Sequence, residues 1–355
     1  MTLTAVAAAR LVNQRIAAPG PRDPASLVSW FGAVQAQDYG AASWALGLRM
    51  RDSVTAAAVE RACDEGRILR THVMRPTWHF VAAADIRWLL DLTAPHVHRK
   101  LNWGHTQLGT HLTLRTRAMA IIERALTDEP CLTRPELAVH LARAKIALKG
   151  IALALVVIHA ELEGLICNGP RRGNQTTYAL LARRAPNAKT RPREEALAEL
   201  TTRYFRSHGP ATVRDFVWWS GLATADAKRG LQIVRARRDT IDGREYWTLG
   251  RSRAAEPPPD VHLLPVYDEY FVAYRDLEAV PRGATRWGIL PQALVARGQV
   301  AGVWKAERGR DRVTLRVDAT RRLSRDERHA LDRATDRYAR FHSLPVALTL
   351  RARTS

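Results

Sequence analysis

The stretch RAMAIIERALTDEPCLTRPEL, residues 117–137, aligns without a gap with ALAELTTRYFRSHGPATVRDF, residues 196–216. The apolar positions of both keep the period of an amphipathic helix. Thr133 and Thr212 share one position, and each has an acidic residue three places later, which is typical of a helix N-terminus. We therefore predict two copies of one module, with N-caps at both threonines and a capping box closed by Glu136.

In each copy another amphipathic stretch follows, VVIHAELEGLI in the first and AKRGLQIVRA in the second, and then a turn and a strand-like segment. Three helices followed by a hairpin is the order of a winged-helix module, whose third helix can enter the major groove of DNA. The predicted hairpin tip of the first copy carries charged and amide side chains that suit phosphate and groove contacts. These predicted DNA contacts are Arg171, Arg172, Asn174 and Gln175. The alternative is an ordinary solvated turn.

The N-terminal hundred residues fit a more divergent copy of the module. We predict helices over 5–16, 26–35 and 54–65, followed by the hairpin RILRTHVMRPTWHFVAA at 67–83. Pro76 interrupts the alternation of this hairpin and requires a turn or a bulge there.

The composition changes after the proline run EPPPD, which reads as a linker. The strand-like segments VHLLPV, GVWKAER, RVTLRVD and PVALTLRA follow, with one helix around Arg325–Phe341. We predict an α+β fold of three tandem winged-helix domains and a β-rich, barrel-like C-terminal domain. The predicted boundaries are 1–112, 113–190, 191–255 and 256–355.

The charge balance indicates the class of partner. The 355 residues include 55 Lys and Arg against 35 Asp and Glu, a formal net charge of +20. An excess of this size favours a polyanionic partner, above all nucleic acid. The alternative is the arginine-rich composition of a protein from a GC-rich genome.

The segment MTLTAVAAARLVNQRIAAPG at residues 1–20 has Arg10 and Arg15 inside its apolar stretch, so it predicts an amphipathic helix and not a secretory signal. No apolar run reaches the length needed to span a membrane. Cys63, Cys131 and Cys167 are too few and too dispersed for a disulfide framework or a zinc ribbon. We expect a cytoplasmic monomer without membrane association.

Two patterns resemble metal-binding motifs, but each lacks part of the ligand set. The tripeptide HAE at 159–161 matches half of a zinc deaminase signature, but the Pro-Cys-x-x-Cys half is missing. Four histidines cluster at 96, 98, 105 and 111 with no carboxylate among them until Glu123. Neither a P-loop nor a dinucleotide fingerprint occurs. We expect no metal and no cofactor.

The stretch GAVQAQDYGAAS at 32–43 places Gln35 and Gln37 where an apolar helical pattern meets Gly40, a predicted helix stop. Two carboxamides here are either solvated helix residues or part of a site. Residues two apart on a helix point about 200° from each other, whereas on an extended segment they share a face. The pair therefore meets one ligand only if the helix ends between them.

Three motifs resemble the winged-helix DNA glycosylases of the AlkZ and YcaQ type. Gln35-Ala36-Gln37 is similar to the Gln-aliphatic-Gln motif of that family, and MRPTWHF at 74–80 to its Met-Arg-Gly-Thr-x-His-apolar motif, with Pro76 in place of glycine. The third motif is LLPVYDEYFVAYRD at 263–276, close to Leu-Pro-x-x-Asp-Glu-Tyr.

The resemblance implies a horseshoe of three winged-helix domains closed by a barrel-like domain, with a basic channel for duplex DNA. It implies hydrolysis of the N-glycosidic bond of alkylated purines, including bulky adducts and some interstrand crosslinks. Gln35 and Gln37 would be the catalytic residues. Thr77 and His79 would support them from one face of the hairpin strand, although both residue types are also common on exposed hairpins. Arg75 and Trp78 would contact DNA.

The chemistry of a carboxamide limits the substrate. It has no titratable proton near pH 7 and cannot act as a general base, but it can hold a water beneath the sugar carbon. This suffices when the base leaves readily, as an N7-alkylated purine does because it is cationic and departs neutral. Asp38 would reach the site as an alternative base only after a small register change.

A non-catalytic DNA-binding protein, acting as a regulator or a damage sensor, is the alternative function. It would use the same basic channel. The paired glutamines favour the glycosylase, because a regulator needs no such amides.

Overall fold

The computed structural model describes residues 2–18, 20–51, 54–250, 260–280 and 292–352. The fold mixes helices and strands, and three consecutive segments repeat one order of elements. The first unit comprises α1 (Leu3–Asn13), α2 (Pro24–Phe31), β1 (Val34–Gln35), α3 (Tyr39–Gly47), α4 (Ala56–Asp64), β2 (Ile68–His72) and β3 (Trp78–Ala82), and the long helix α5 (Ile86–Gln107) follows it. In this unit the repeated order begins at α2 and includes α3, a helix that the sequence did not predict.

The second and third units repeat the helix, helix, helix, hairpin order. The second comprises α6 (Leu112–Asp128), β4 (Leu132–Thr133), α7 (Arg134–Arg143), α8 (Gly150–Leu162), β5 (Ile166–Asn168), β6 (Thr177–Leu180) and α9 (Leu181–Arg184). The third comprises α10 (Arg193–Ser207), α11 (Val213–Ser220), α12 (Thr224–Ile233), β7 (Arg237–Ile241) and β8 (Arg244–Thr248).

The sheets of these units share one topology. The strand orders are β1-β3-β2 and β4-β6-β5, and in the third unit a bridge between Ala211 and Trp247 takes the place of the short first strand beside β8. The last strand is central each time. Thr133 and Thr212 cap α7 and α11, and Glu136 closes a capping box, as the sequence predicted. Asp215 closes a second capping box, which the sequence analysis did not predict.

The predicted helix over 26–35 is wrong at its end. α2 stops at Phe31, because Gly32 adopts a φ of +88° that ends the helix. Gly40, predicted to be a stop, lies in the first turn of α3, whose N-cap is Asp38. A non-helical segment that includes β1 therefore connects α2 and α3, with Gln35 in the strand and Gln37 at a bend after it.

The terminal segment is a five-stranded sheet with helices. Its elements are β9 (Val261–Leu264), α13 (Glu269–Val272), β10 (Ala293–Ala296), β11 (Gln299–Arg308), β12 (Val313–Ala319), α14 (Arg325–His342) and β13 (Val346–Ala352). The strand order is β13-β12-β11-β10-β9, and β12 and β13 are parallel. Of the predicted linker at 256–260, only Asp260 is among the described residues.

The predicted barrel-like closure is not found in the described part of this segment, where β9 and β13 lie at opposite edges of the sheet. Helix packing buries the sheet instead, since Tyr338 of α14 contacts Trp304 of β11 and Trp44 of α3 edge to face, at ring-centroid distances of 5.5 and 4.8 Å. A sheet covered in this way buries its apolar face without closing on itself.

Buried side chains form three clusters that place the first unit at the centre of the molecule. One cluster joins the first unit to the terminal segment, for example through the contact of Trp44 with Tyr338. A second joins β2, β3 and α5 to the third unit and includes Trp88 and Trp219. The third lies within the second unit. Among the helices of the described ranges, none is both long and apolar enough to cross a membrane.

Candidate active site

Strand pairing brings the predicted site residues together. Gln35 lies opposite His79 on β3, and His79 lies opposite Thr71 on β2. Residues directly opposite in an antiparallel sheet share a face, so these three side chains do so. The Ala36 amide donates to the Trp78 carbonyl at 2.7 Å, and Gln37 follows at a bend just beyond this bond. The juxtaposition arises from a strand, and not from the helix end that the sequence suggested.

Gln35 is held at both its backbone and its side chain. Its amide N–H donates to Glu269 Oε1 at 2.7 Å, and its side-chain Oε1 accepts from Arg75 Nη2 at 2.8 Å. The residue is only 7% exposed. Because a carbonyl oxygen has two lone pairs, Oε1 keeps one acceptor position beside the bond to Arg75.

The backbone of Gln37 is held by hydrogen bonds, and its side chain is exposed. Arg70 donates from Nη2 to the Gln37 carbonyl at 3.1 Å and from Nε to the Ala36 carbonyl at 2.9 Å. The Arg70 guanidinium lies 3.4 Å from the centroid of the Trp78 ring. The Gln37 Oε1 accepts from the Trp78 amide at 3.3 Å, while the residue as a whole is exposed. Arg70 is thus a positioning residue that the sequence analysis missed.

His79 is completely buried, and neither of its ring nitrogens has a hydrogen-bond partner among the described residues. Burial, together with the nearby Arg75 charge, lowers the pKa of His79 to about 3. The imidazole is therefore neutral at physiological pH and cannot supply a proton as an imidazolium would. Within the same described ranges Thr77 Oγ1 is also buried and without a partner.

Glu269 is a buried carboxylate that holds the backbone of Gln35 in place. Besides the Gln35 amide, its carboxylate accepts from Trp219 Nε1 at 3.0 Å and contacts His208 Nε2 at 3.2 Å. Burial alone would raise the pKa of Glu269, but the hydrogen bond and charge of His208, with the Arg75 charge, lower it overall. The buried group is therefore ionised. The sequence contained Glu269 within a motif but gave no role to it.

Asp38 caps α3, because its Oδ1 accepts from the Ala41 amide at 2.8 Å. The side chain is exposed next to Gln37. A role as an alternative base would require it to leave this cap.

The predicted DNA contacts lie around the glutamines, and several are engaged within the protein. The Arg171 guanidinium lies 4.3 Å from the centroid of the Tyr39 ring, so the β5–β6 hairpin docks on the start of α3. Arg172 pairs with Glu136 at 2.6 Å but stays exposed. Asn174 and Gln175 are exposed at the tip.

Known proteins resemble this chain in sequence and in fold. The sequence profile of the family described as DNA glycosylase AlkZ-like matches residues 28–341. A protein of Streptomyces sahachiroi named interstrand DNA cross-link repair glycosylase is 25% identical in an alignment of 301 positions that covers 77% of this chain and 79% of that protein. The solved structure named Streptomyces sahachiroi DNA glycosylase AlkZ superposes with a TM-score of 0.78 at 22% identity, covering 98% of this chain and all of that one. Because the family match spans most of the sequence, the chain belongs to the AlkZ-like family of DNA glycosylases.

Proposed function

We propose that this DNA glycosylase is monofunctional and hydrolyses the N-glycosidic bond of cationic N7-alkylpurines in duplex DNA, with Gln35 and Gln37 positioning the attacking water. The observation that carries the proposal is the shared face of Gln35 and His79, with Gln37 two residues further along the chain and its side chain bonded to the Trp78 amide of β3. Neutral amides and a neutral imidazole meet there.

Each glutamine oxygen has one donor that fixes its orientation. Arg75 Nη2 donates to the oxygen of Gln35, and the Trp78 amide donates to that of Gln37. The second lone pair of each oxygen remains to accept a hydrogen bond from one water. In the reaction the C1′–N9 bond breaks with its electron pair going to the base, the water oxygen bonds to C1′, and a proton is released to solvent.

Charge around the site suits a positive transition state. The ionised Glu269 lies directly behind Gln35 and favours an oxocarbenium-like sugar, while Arg75 opposes part of this field. His79, with a pKa of about 3, does not protonate a leaving group at pH 7. The site therefore suits a base that leaves as a neutral molecule, which an N7-alkylpurine does.

The three repeated units are proposed to be winged-helix domains at 1–112, 113–190 and 191–255 that hold the duplex, with the terminal segment at 256–355. The exposed Gln37 and the neighbouring hairpin tip at 171–175 support access for bulky adducts. The name of the Streptomyces relative supports interstrand crosslinks as a further substrate. The three free cysteines suit a cytoplasmic monomer.

Single-turnover release of free base tests the substrate. Matched duplexes carry 7-methylguanine, a bulky N7 adduct or uracil at one position. We expect release from both N7-alkylated duplexes and none from the uracil duplex. Efficient release of uracil would contradict the proposal, because that base leaves as an anion unless an acid protonates it, and the proposed site provides neither an acid nor a net positive charge for it. Binding without release from any duplex would instead favour the regulator or damage sensor.

A further inference from the structure

Three side chains from two helices converge outside the glutamine site. His98 lies on α5, His159 lies in the last turn of α8, and Glu163 follows that helix. One nitrogen or oxygen atom of each lies within 4.8 Å of those of the other two. His98 Nε2 is 3.0 Å and His159 Nδ1 3.8 Å from Glu163 Oε1. We propose that His98, His159 and Glu163 bind a zinc ion that clasps α5 to α8.

The ligand types and their spacing suit zinc. Two imidazoles and a carboxylate, with water in the fourth position, form a recurrent zinc ligand set. With a Zn–N bond of about 2.0 Å and a nitrogen about 1.1 Å from the ring centroid, tetrahedral ligation sets two imidazole centroids about 5 Å apart. The centroids of His98 and His159 are 5.0 Å apart. Small rotations of the side chains therefore complete the site.

His159 supplies a second, independent observation. It is 5% exposed, and its Nδ1 is a buried atom without a hydrogen-bond partner in the part of the chain that the structure describes. An unsatisfied buried nitrogen is costly, and a metal would satisfy it. His105 lies beside it with Nδ1 bonded to Thr110 Oγ1 at 2.8 Å, and its ring centroid is 6.0 Å from that of His159. It lies outside the three-ligand set.

The cluster is accessible from solvent. His98 and Glu163 line a groove of about 390 Å³ between α5 and the turn after α8, which also includes Asp91. A metal ion can enter through this groove without opening the core. Asp91 favours the approach of a cation, and Arg87, which also lines the groove, offsets this charge.

The positive charge of Arg115, on α6, disfavours a cation at the cluster. The negative charge of the Glu163 carboxylate offsets that of Arg115. Burial lowers the pKa of His159 to about 3, with Arg115 as the next cause. The imidazole is therefore neutral at physiological pH, which is the form that binds metals.

The sequence predicted no metal because each of its two patterns was incomplete. The fold brings one residue of each pattern together, His98 from the histidine cluster and His159 from the deaminase-like tripeptide, and places Glu163 beside them. Glu161 of the same tripeptide points elsewhere, to His72 Nδ1 at 2.6 Å and Thr71 Oγ1 at 3.3 Å on β2. A zinc ion bound to α8 would thus also stabilise β2, the strand next to His79.

Zinc binding by the full-length, untagged chain tests this proposal after removal of metal with a chelator. Isothermal titration should give one Zn²⁺ per chain, and Co²⁺ should give the absorption of a tetrahedral site. His98→Ala and Glu163→Gln should each weaken binding at least about tenfold. Both residues are only partly buried, so these variants keep the core intact.

The matched control is His140→Ala, which removes another helical histidine paired with a glutamate, at 3.3 Å from Glu129. It should bind Zn²⁺ as the unsubstituted chain does. Zn²⁺ should raise the thermal midpoint of the unsubstituted chain and of this control, but not of the two site variants. Absence of saturable binding, or equal binding by all four proteins, would overturn the proposal.

Discussion

Replacing Glu269 by glutamine should destabilise the fold and disturb the glutamine site together. The carboxylate is 1% exposed and meets three nitrogen donors, the Gln35 amide at Oε1 and both Trp219 and His208 at Oε2. A glutamine offers one oxygen and one NH₂ group. Whichever way it is oriented, its NH₂ group faces at least one buried donor.

The best orientation keeps the oxygen on Trp219 and His208 and turns the NH₂ group toward the Gln35 amide. This loses one charge-assisted hydrogen bond, about 1.5 to 3 kcal/mol, and leaves a buried donor unpaired, about 1 to 3 kcal/mol. Removal of a buried charge offsets part of this loss. We expect a decrease of about 2 to 4 kcal/mol in the free energy of unfolding. Release of β1 should also slow excision about 10- to 100-fold, because small misplacements of catalytic groups are costly.

Urea unfolding and single-turnover excision below the unfolding transition measure the two effects separately. The matched control is Glu327→Gln, which alters another buried glutamate that accepts from Arg321 and from the Ser324 amide in the terminal segment. It should also lower stability but leave the excision rate of folded protein unchanged. A Glu269→Gln variant as stable as the unsubstituted chain would refute the reasoning, as would an equal rate loss in the control.

Three further predictions concern pH, DNA and chemistry. The pKa of His79 is about 3 in the folded state, below its unfolded value near 6.5. The stability that neutral His79 contributes is therefore complete above pH 6.5 and is lost as pH falls, by about 2 kcal/mol at pH 5. His79→Asn should remove that part of the loss in urea unfolding at pH 7 and 5, and equal losses in both proteins would contradict this. Duplex binding, measured by fluorescence anisotropy, should weaken steeply as salt concentration rises. Arg171→Ala with Arg172→Ala should reduce the slope of log affinity against log salt concentration by about 2 for every DNA sequence. A loss of affinity restricted to one sequence would indicate base readout instead. Borohydride should trap no covalent adduct with DNA during excision, because the site positions a water and not an amine, and a trapped species on a denaturing gel would disprove this.

Local chemistry made much of the fold predictable. The caps at Thr133 and Thr212 and the helix α14 depend on residues three or four apart, and the structure confirms them. The limits of α2 and α3 were not predictable in this way. Gly32 and Gly40 look alike in sequence, and the pairing of β1 with β3, over forty residues away, determines that Gly32 ends α2 while Gly40 lies within α3.

The candidate site shows the same division. Gln35, Gln37, Thr77 and His79 were predicted from motifs. The strand register pairs Gln35 with His79, and the Gln37 side chain accepts from the Trp78 amide next to them. Arg70 and Glu269 were missed because their roles depend on contacts 33 to 234 residues apart in sequence. No local pattern distinguishes a buried glutamate under a backbone amide from an ordinary exposed one.

The most direct test of the central claim is single-turnover excision of 7-methylguanine by Gln35→Ala, Gln37→Ala and the double variant, with duplex affinity measured on the same preparations. We expect each single substitution to slow release by roughly ten to a thousandfold while duplex affinity stays nearly unchanged, the range for losing a positioning contact. The double variant should be no faster than either. An unchanged rate in the double variant would remove both glutamines from the mechanism.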